Sequence, residues 1–264
     1  MIITALVENT TKSELKANHG LSLFIRTKKH KILFDLGPDD TLFDNAEKLG
    51  IDLSEVDTVI ISHGHFDHGG ALSKLLSVNS RAKIYIQREA FEPHYSKTLF
   101  LKVSVGLDDS LKTNPQIVLI DGDYSIDDEL TLFTVNSISK CYSPANNALY
   151  DRNGKDSFSH EQNLIIAENQ VAVIMGCGHS GVVNIMDKAK RYQPKFCFGG
   201  FHLFNPLTRM TVPAALLDEI ACELQAYDQT QFYTCHCTGV KAYRYLSKQL
   251  NNLHYMSCGE SVEI

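Results

Sequence analysis

No apolar run in the sequence approaches the roughly 20 residues that a membrane-spanning helix needs, so no membrane partner is expected. Positive charge is not in excess either: 25 Lys and Arg stand against 31 Asp and Glu, a formal net charge of -6. That balance offers no attraction for a polyanionic backbone, and nucleic acid is excluded as an expected partner. Paired cysteine spacing is missing. Cys141, Cys177, Cys197, Cys222, Cys235, Cys237 and Cys258 are scattered and odd in number, which implies no disulfide framework and no second ligand pair for a structural zinc at Cys235-His236-Cys237. There is no linker, internal repeat or low-complexity tract, so 1–264 is expected to form a single domain with a substantial core. Met1 to Asn9 carry no basic leader and read as a first strand, and a cytoplasmic location is the expectation.

What is present is concentrated at one place. His63, Gly64, His65, Phe66, Asp67 and His68 spell His-x-His-x-Asp-His directly after the apolar stretch Val56 to Ile61. Imidazoles and a carboxylate suit Zn²⁺ and similar first-row ions. A turn after a strand lets His63 and His65 point one way and Asp67 and His68 another, so each pair can serve its own divalent ion. A solvated His-rich loop is the competing reading. Three His and one Asp at this spacing, bounded by a strand and by Gly69-Gly70, form too specific a pattern for it.

Periodicity predicts strands at 2–8, 21–26, 31–35, 56–62, 83–87, 117–120, 130–135, 163–167, 171–175, 195–198, 231–234 and 253–256. Helical spacing is present at 40–49, 70–78, 181–192, 211–226 and 239–250, with Pro213 near the start of the fourth and Thr238 as the cap of the fifth. Helices following strands in both halves predict a layered α/β domain with helices outside the sheets. Histidines recur where strand-like runs stop, at His63, His179, His202 and His236. A convergent site on loops at one edge of the sheets is the economical reading. The less regular segments 88–116 and 141–160 are expected to act as lids.

These residues resemble the metallo-β-lactamase superfamily, whose hallmark is the run at 63–68, and the resemblance implies a four-layer αββα sandwich over nearly the whole chain. Asn9, His19-Gly20-Leu21-Ser22, Ile32 to Gly37, Gly176 to Gly181, Gly199 to Leu203 and His236 to Gly239 are similar to the branch of 7,8-dihydropterin-6-yl-methyl-4-(β-D-ribofuranosyl)aminobenzene 5'-phosphate synthase-like proteins. A shared branch does not fix a substrate. The resemblance implies that His63, His65 and His179 hold one ion while Asp67, His68 and His236 hold the other. Many superfamily members place a bridging aspartate after a Gly where this chain has Gly176-Cys177-Gly178-His179. Three readings stay open there: His179 serves, the Cys177 thiolate serves, or the second ion is weakly held. His160 is the alternative third histidine, with His179 preferred for the glycines around it.

By the same resemblance Asp35 is a structural aspartate that holds the metal loop. His202, after Gly199-Gly200, is a ligand or a substrate-facing acid or base, and His19 is a cleft residue. His30 and His254 carry no expected chemistry. Ser180 and Thr238-Gly239 precede helices whose free N–H groups could cradle a phosphate. The expected activity is that of a metal-dependent hydrolase using metal-bound hydroxide in a dinuclear centre, oriented by Asp67 with His202 as a second catalytic group. The cofactors are two divalent ions, zinc first with iron or manganese as alternatives. The substrate is a small molecule, phosphorylated if the helix starts bind it. A transferase joining a dihydropterin to a ribofuranosylaminobenzene phosphate, and a non-catalytic metal-binding or ligand-sensing protein, are the competing functions.

Overall fold

Runs such as Ile2–Val7 and Lys83–Gln87, rich in β-branched residues, cannot bury their apolar faces alone and assemble into two seven-stranded sheets. A computed structural model describes residues 1–97 and 101–264. The first sheet runs Ser261–Glu263, Ile2–Val7, Ser22–Arg26, Lys31–Phe34, Thr58–Ile60, Lys83–Gln87, Ile117–Ile120. The second runs Leu253–Tyr255, Gln231–Thr234, Phe196–Gly199, Val171–Ile174, Asn163–Ala167, Leu130–Phe133, Tyr124–Ser125. In each, one end is antiparallel and the other parallel, and the parallel ends carry the strands whose loops hold the histidines.

Strand alternation sorts the core into three layers. Phe34 and Ile60 of the first sheet meet Leu132, Leu164, Ile174 and Phe198 of the second between the sheets. The next residues along each strand point outward: Leu33 and Val59 pack under Leu42, Ala46, Leu72 and Leu75 of the helices Thr41–Lys48 and Leu72–Val78. On the opposite side Val173 and Phe232 pack under Val183, Met186, Ile220 and Leu246 of Val182–Ala189, Ala214–Leu224 and Val240–Leu246. The result is the αββα sandwich, with helices on both outer faces. No helix among the described residues is long and apolar enough to cross a membrane.

Every strand and helix read from periodicity is present, several with the expected bounds, most of the others shorter, and one strand shifted to Phe196–Gly199. One cap is corrected: Gly239, at φ 73°, precedes Val240–Leu246, and Thr238 belongs to the 3₁₀ turn before it. The two irregular segments join each other. Tyr95–Lys97 pairs with Leu149–Tyr150 on one side and Lys102–Ser104 on the other, so both contribute to one small three-stranded sheet. Positions 98 to 100 of the first segment lie outside the described residues.

Candidate metal centre

Parallel strands aim their C-terminal ends at one crevice, where ligand sites of layered α/β folds collect. Thr58–Ile60 delivers the loop from His63 to His68, Val171–Ile174 delivers Cys177 and His179, Phe196–Gly199 delivers His202, and Gln231–Thr234 delivers His236. The backbone there is strained for a purpose. Asp35, His202 and His236 hold φ between 49° and 60°, a left-handed conformation that non-glycine residues adopt at a cost of about 1–3 kcal/mol, typically at functional sites. Gly176 admits no side chain, because a Cβ would collide with Ser62 Oγ and press on Asp35.

Two clusters of donor atoms face each other across the crevice. In the first, His63 Nε2 lies 3.3 Å from His179 Nε2, and ligand atoms of His63, His65 and His179 all fall within 4.8 Å of one another. In the second, His68 Nε2 lies 3.2 Å from His236 Nε2 and 3.9 Å from Asp67 Oδ2, while His236 Nε2 is 3.4 Å from that oxygen. Cys177 Sγ stands 3.2 Å from His68 Nε2.

Hydrogen bonds behind the rings fix their protonation. Ser62 Oγ gives its one hydrogen to Asp35 Oδ2 (2.7 Å), so against His63 Nδ1, 2.8 Å away, it can only accept. Asn146 Nδ2 donates to the His179 carbonyl, which turns its Oδ1 toward His179 Nδ1 at 2.9 Å. Both rings therefore carry hydrogen on Nδ1 and a lone pair on Nε2. Burial, reinforced by neighbouring imidazoles, lowers His63, His65 and His179 well below the usual histidine range. Two buried lone pairs 3.3 Å apart repel unless a cation lies against them.

The second cluster attracts positive charge. Asp35 Oδ2 sits 2.6 Å from His68 Nδ1, and Asn9 Oδ1 lies 2.8 Å from His236 Nδ1. Burial opposes the charged form of His68, but Asp35 and Asp67 outweigh it and push it up to about 9. Burial likewise opposes ionisation of Asp67, yet His68, His236 and His19 hold it well below the usual carboxylate range. A divalent ion would satisfy these groups in place of a proton. The donor set, with a buried His65 Nε2 that has no hydrogen-bond partner, fits two such ions. Stripping metal from the protein with a chelator should lower its thermal midpoint by about 5–10 °C, reversed by Zn²⁺, from the stabilisation of about 2.7 kcal/mol that a ligand at 100 times its Kd supplies. Calorimetry with and without chelator checks this, and an unchanged midpoint counts against a bound ion.

A cavity of about 270 Å³ opens on the centre. His19 and His202 line it with Asp67, His179 and His236. His19 Nε2 is 3.3 Å from Asp67 Oδ2. Neither ring nitrogen of His202 has a hydrogen-bond partner although both are buried. Ser180, Thr238 and Gly239 do not line the cavity, and the phosphate cradle expected from them is corrected. The Ser180 amide and hydroxyl and the His179 amide all donate to the buried Glu161, so a carboxylate already fills that anion position. Thr238 Oγ1 accepts from the Phe201 amide and pairs with Thr234, while the Gly239 amide donates to the His236 carbonyl. His160 braces the loop: its Nδ1 accepts from the Gly64 amide at 2.9 Å and its Nε2 faces Asp156 at 3.2 Å. Sequence reading gave no role to Asn146, Ser62 or Phe158, whose ring stacks on His179 with centroids 4.5 Å apart. Asn9 stood in a quoted motif and Ser62 closes the strand expected over 56–62, whereas Asn146 and Phe158 lie in a segment without periodicity.

Residues 15–155 match the family model for the metallo-beta-lactamase superfamily. The chain is similar to an uncharacterized protein of Methanocaldococcus jannaschii, 26% identical over 266 residues and covering 100% of both chains. It is also similar to the 7,8-dihydropterin-6-methyl-4-(beta-D-ribofuranosyl)-aminobenzene-5'-phosphate synthase of the same organism, 24% identical over 252 residues, 86% of this chain and 83% of the relative. Among solved structures, Tm1679, described as a metal-dependent hydrolase of the beta-lactamase superfamily, superposes with a TM-score of 0.82 at 27% identity, over 100% of this chain and 99% of that one.

Proposed function

The chain belongs to the metallo-beta-lactamase superfamily, and from that premise we propose that it is a metal-dependent hydrolase with a dinuclear centre, acting on an uncharged acyl compound. The observation that carries the reading is the pair of facing Nε2 contacts, 3.3 and 3.2 Å, at the floor of an accessible cavity. His63, His65 and His179 would hold one divalent ion, and Asp67, His68 and His236 the other. When bound, such ions supply Lewis acidity, polarising a carbonyl or phosphoryl oxygen and lowering the pKa of water.

The protein's own groups do the rest. Asp67 is ionised at the cavity floor and fixed between His19 and His236, so it accepts a hydrogen from the attacking water and aims its lone pair. His202 faces the cavity with both nitrogens free of protein partners, which suits transfer of a proton to the leaving group. Phe66, Val105, Leu149, Phe204 and Leu207 form apolar walls, which exclude water and receive a ring or acyl chain.

No Lys or Arg is among the described residues that line the cavity. A basic cluster, Lys97, Lys102 and Lys155 over the Tyr95 and Tyr150 rings, belongs to the opposite face of the small sheet, since Ser96 and Leu149 take the cavity side. A neutral lactone, thioester or carboxylic ester therefore suits the cavity better than a phosphate monoester, which wants a cationic clamp. The synthase relative supports a second reading, transfer onto a ribofuranosylaminobenzene phosphate, and the same lack of cationic side chains among the described lining residues weighs against it. Zinc-reconstituted protein assayed on a lactone, a thioester, an aryl ester, a phosphodiester and a phosphate monoester tests the proposal. Chelator-sensitive turnover confined to the acyl compounds is expected. Full metal occupancy without turnover on any of them would favour a non-catalytic sensor.

A further inference from the structure

We infer that Glu8 and Glu161 are a matched pair of positioning residues, each fixing the backbone of one distant histidine and so governing one ion separately from the other. The inference rests on the dinuclear reading above and concerns how the histidines supplied by the second sheet are held.

Three observations carry it. First, the two carboxylates make the same contact. Glu161, just before the strand Asn163–Ala167, accepts the His179 amide on Oε1 at 2.6 Å and the Ser180 amide on Oε2 at 2.8 Å. Glu8, just after the strand Ile2–Val7, accepts the His236 amide on Oε1 at 2.7 Å and the Thr10 amide on Oε2 at 2.6 Å. Second, only a carboxylate fits. A backbone N–H cannot reverse its role, and each oxygen faces one, so a glutamine would turn its NH₂ against an amide hydrogen whichever way it lay. Both side chains are buried, where no water relieves such a mismatch. Third, the histidines need the restraint. His236 holds φ at 49°, a conformation that a non-glycine residue keeps only where its surroundings impose it. His179 follows Gly178, at φ 62°, whose conformational freedom gives that turn no stiffness of its own.

The division of labour follows. Asn9 and Asn146 orient the His236 and His179 rings through Nδ1, while Glu8 and Glu161 place the backbone from which those rings hang. Because the two carboxylates sit on different elements and hold different turns, losing one releases one histidine and leaves the other in place.

Zn²⁺ binding read histidine by histidine tests this without turnover. Protein labelled with ¹⁵N-histidine is titrated with chelator-buffered Zn²⁺, and the assigned ring resonances report His179 with His63 and His65, and His236 with His68. Glu161→Gln should weaken the response of the first set by about 10- to 100-fold and move the second by less than about threefold, and Glu8→Gln should do the reverse. Ser180→Ala and Tyr255→Phe each remove only a hydroxyl donor to these carboxylates, and should leave both sets at the parent's affinity. If circular dichroism shows a Gln variant unfolded, Glu161→Asp or Glu8→Asp, which keeps both acceptor oxygens but sets them back by a methylene, should show the same one-sided loss. A loss spread equally over both sets, no loss in either, or an equal loss in the hydroxyl controls overturns the inference while the dinuclear reading stands. A parent in which no ring responds to Zn²⁺ overturns both.

Discussion

Asp67→Asn is expected to lower kcat on the acyl substrates by about 10³-fold, the middle of the range for removing a positioned proton-accepting group. The substitution changes almost no volume and leaves the loop from His63 to His68 in place. What it removes is the negative charge between His19 and His236 and the oxygen that accepts from the attacking water. An amide in that position can turn its NH₂ toward His236 Nε2 and compete with the cation for the lone pair. The walls that contact the rest of the substrate are untouched, so KM should move by less than about threefold, because binding common to ground and transition state is retained. Steady-state kinetics at fixed Zn²⁺, with metal content measured on the same samples, separates the two effects. A variant with both ions and undiminished kcat would remove Asp67 from the mechanism and leave it as a ligand alone.

The proposed metal loop was legible in the sequence because its candidate ligands are adjacent: His-x-His-x-Asp-His needs no tertiary information to be seen. The layered fold was legible for a related reason, since period-two strands and helical spacing each report a local burial pattern. Assigning the third histidine needed more. His179 follows the strand Val171–Ile174 while His160 precedes the strand Asn163–Ala167, and the preference for His179 draws on the Gly64 amide, whose hydrogen bond occupies His160 Nδ1 and ties that ring to the loop. Helix starts at Ser180 and Thr238-Gly239 failed as phosphate sites because a run of small polar residues before a helix does not say who accepts its N–H groups. Glu161 does, and it comes from a distant strand start. The small sheet formed by Tyr95–Lys97, Lys102–Ser104 and Leu149–Tyr150 escaped notice for the same reason, as its strands are two or three residues long and defined only by one another.

Asp35→Ala is expected to destabilise the protein by about 3–5 kcal/mol, the cost of removing one partner of a buried ion pair. Asp35 is fully buried, and its carboxylate gathers three donors: the Ser62 amide at 2.7 Å, the Ser62 hydroxyl at 2.7 Å and His68 Nδ1 at 2.6 Å. Alanine strands all three, and the freed Ser62 hydroxyl no longer has reason to present only its lone pair to His63. One side chain therefore sets the tautomer of a histidine in each cluster. The thermal midpoint should fall by about 6–20 °C at 2–4 °C per kcal/mol, and the apparent affinity for Zn²⁺ by about 10- to 100-fold, since ligand orientation is lost with the groups behind it. Ser62→Ala offers a milder companion: it leaves the Asp35–His68 contact intact while freeing His63 Nδ1 alone, so it should weaken the ion held by His63 more than the one held by His68. Calorimetry on metal-free samples isolates the stability loss, and zinc competition against a chromophoric chelator reads the affinity. If Asp35→Ala bound both ions as tightly as the parent, the hydrogen-bond network behind the rings would have no part in organising the centre.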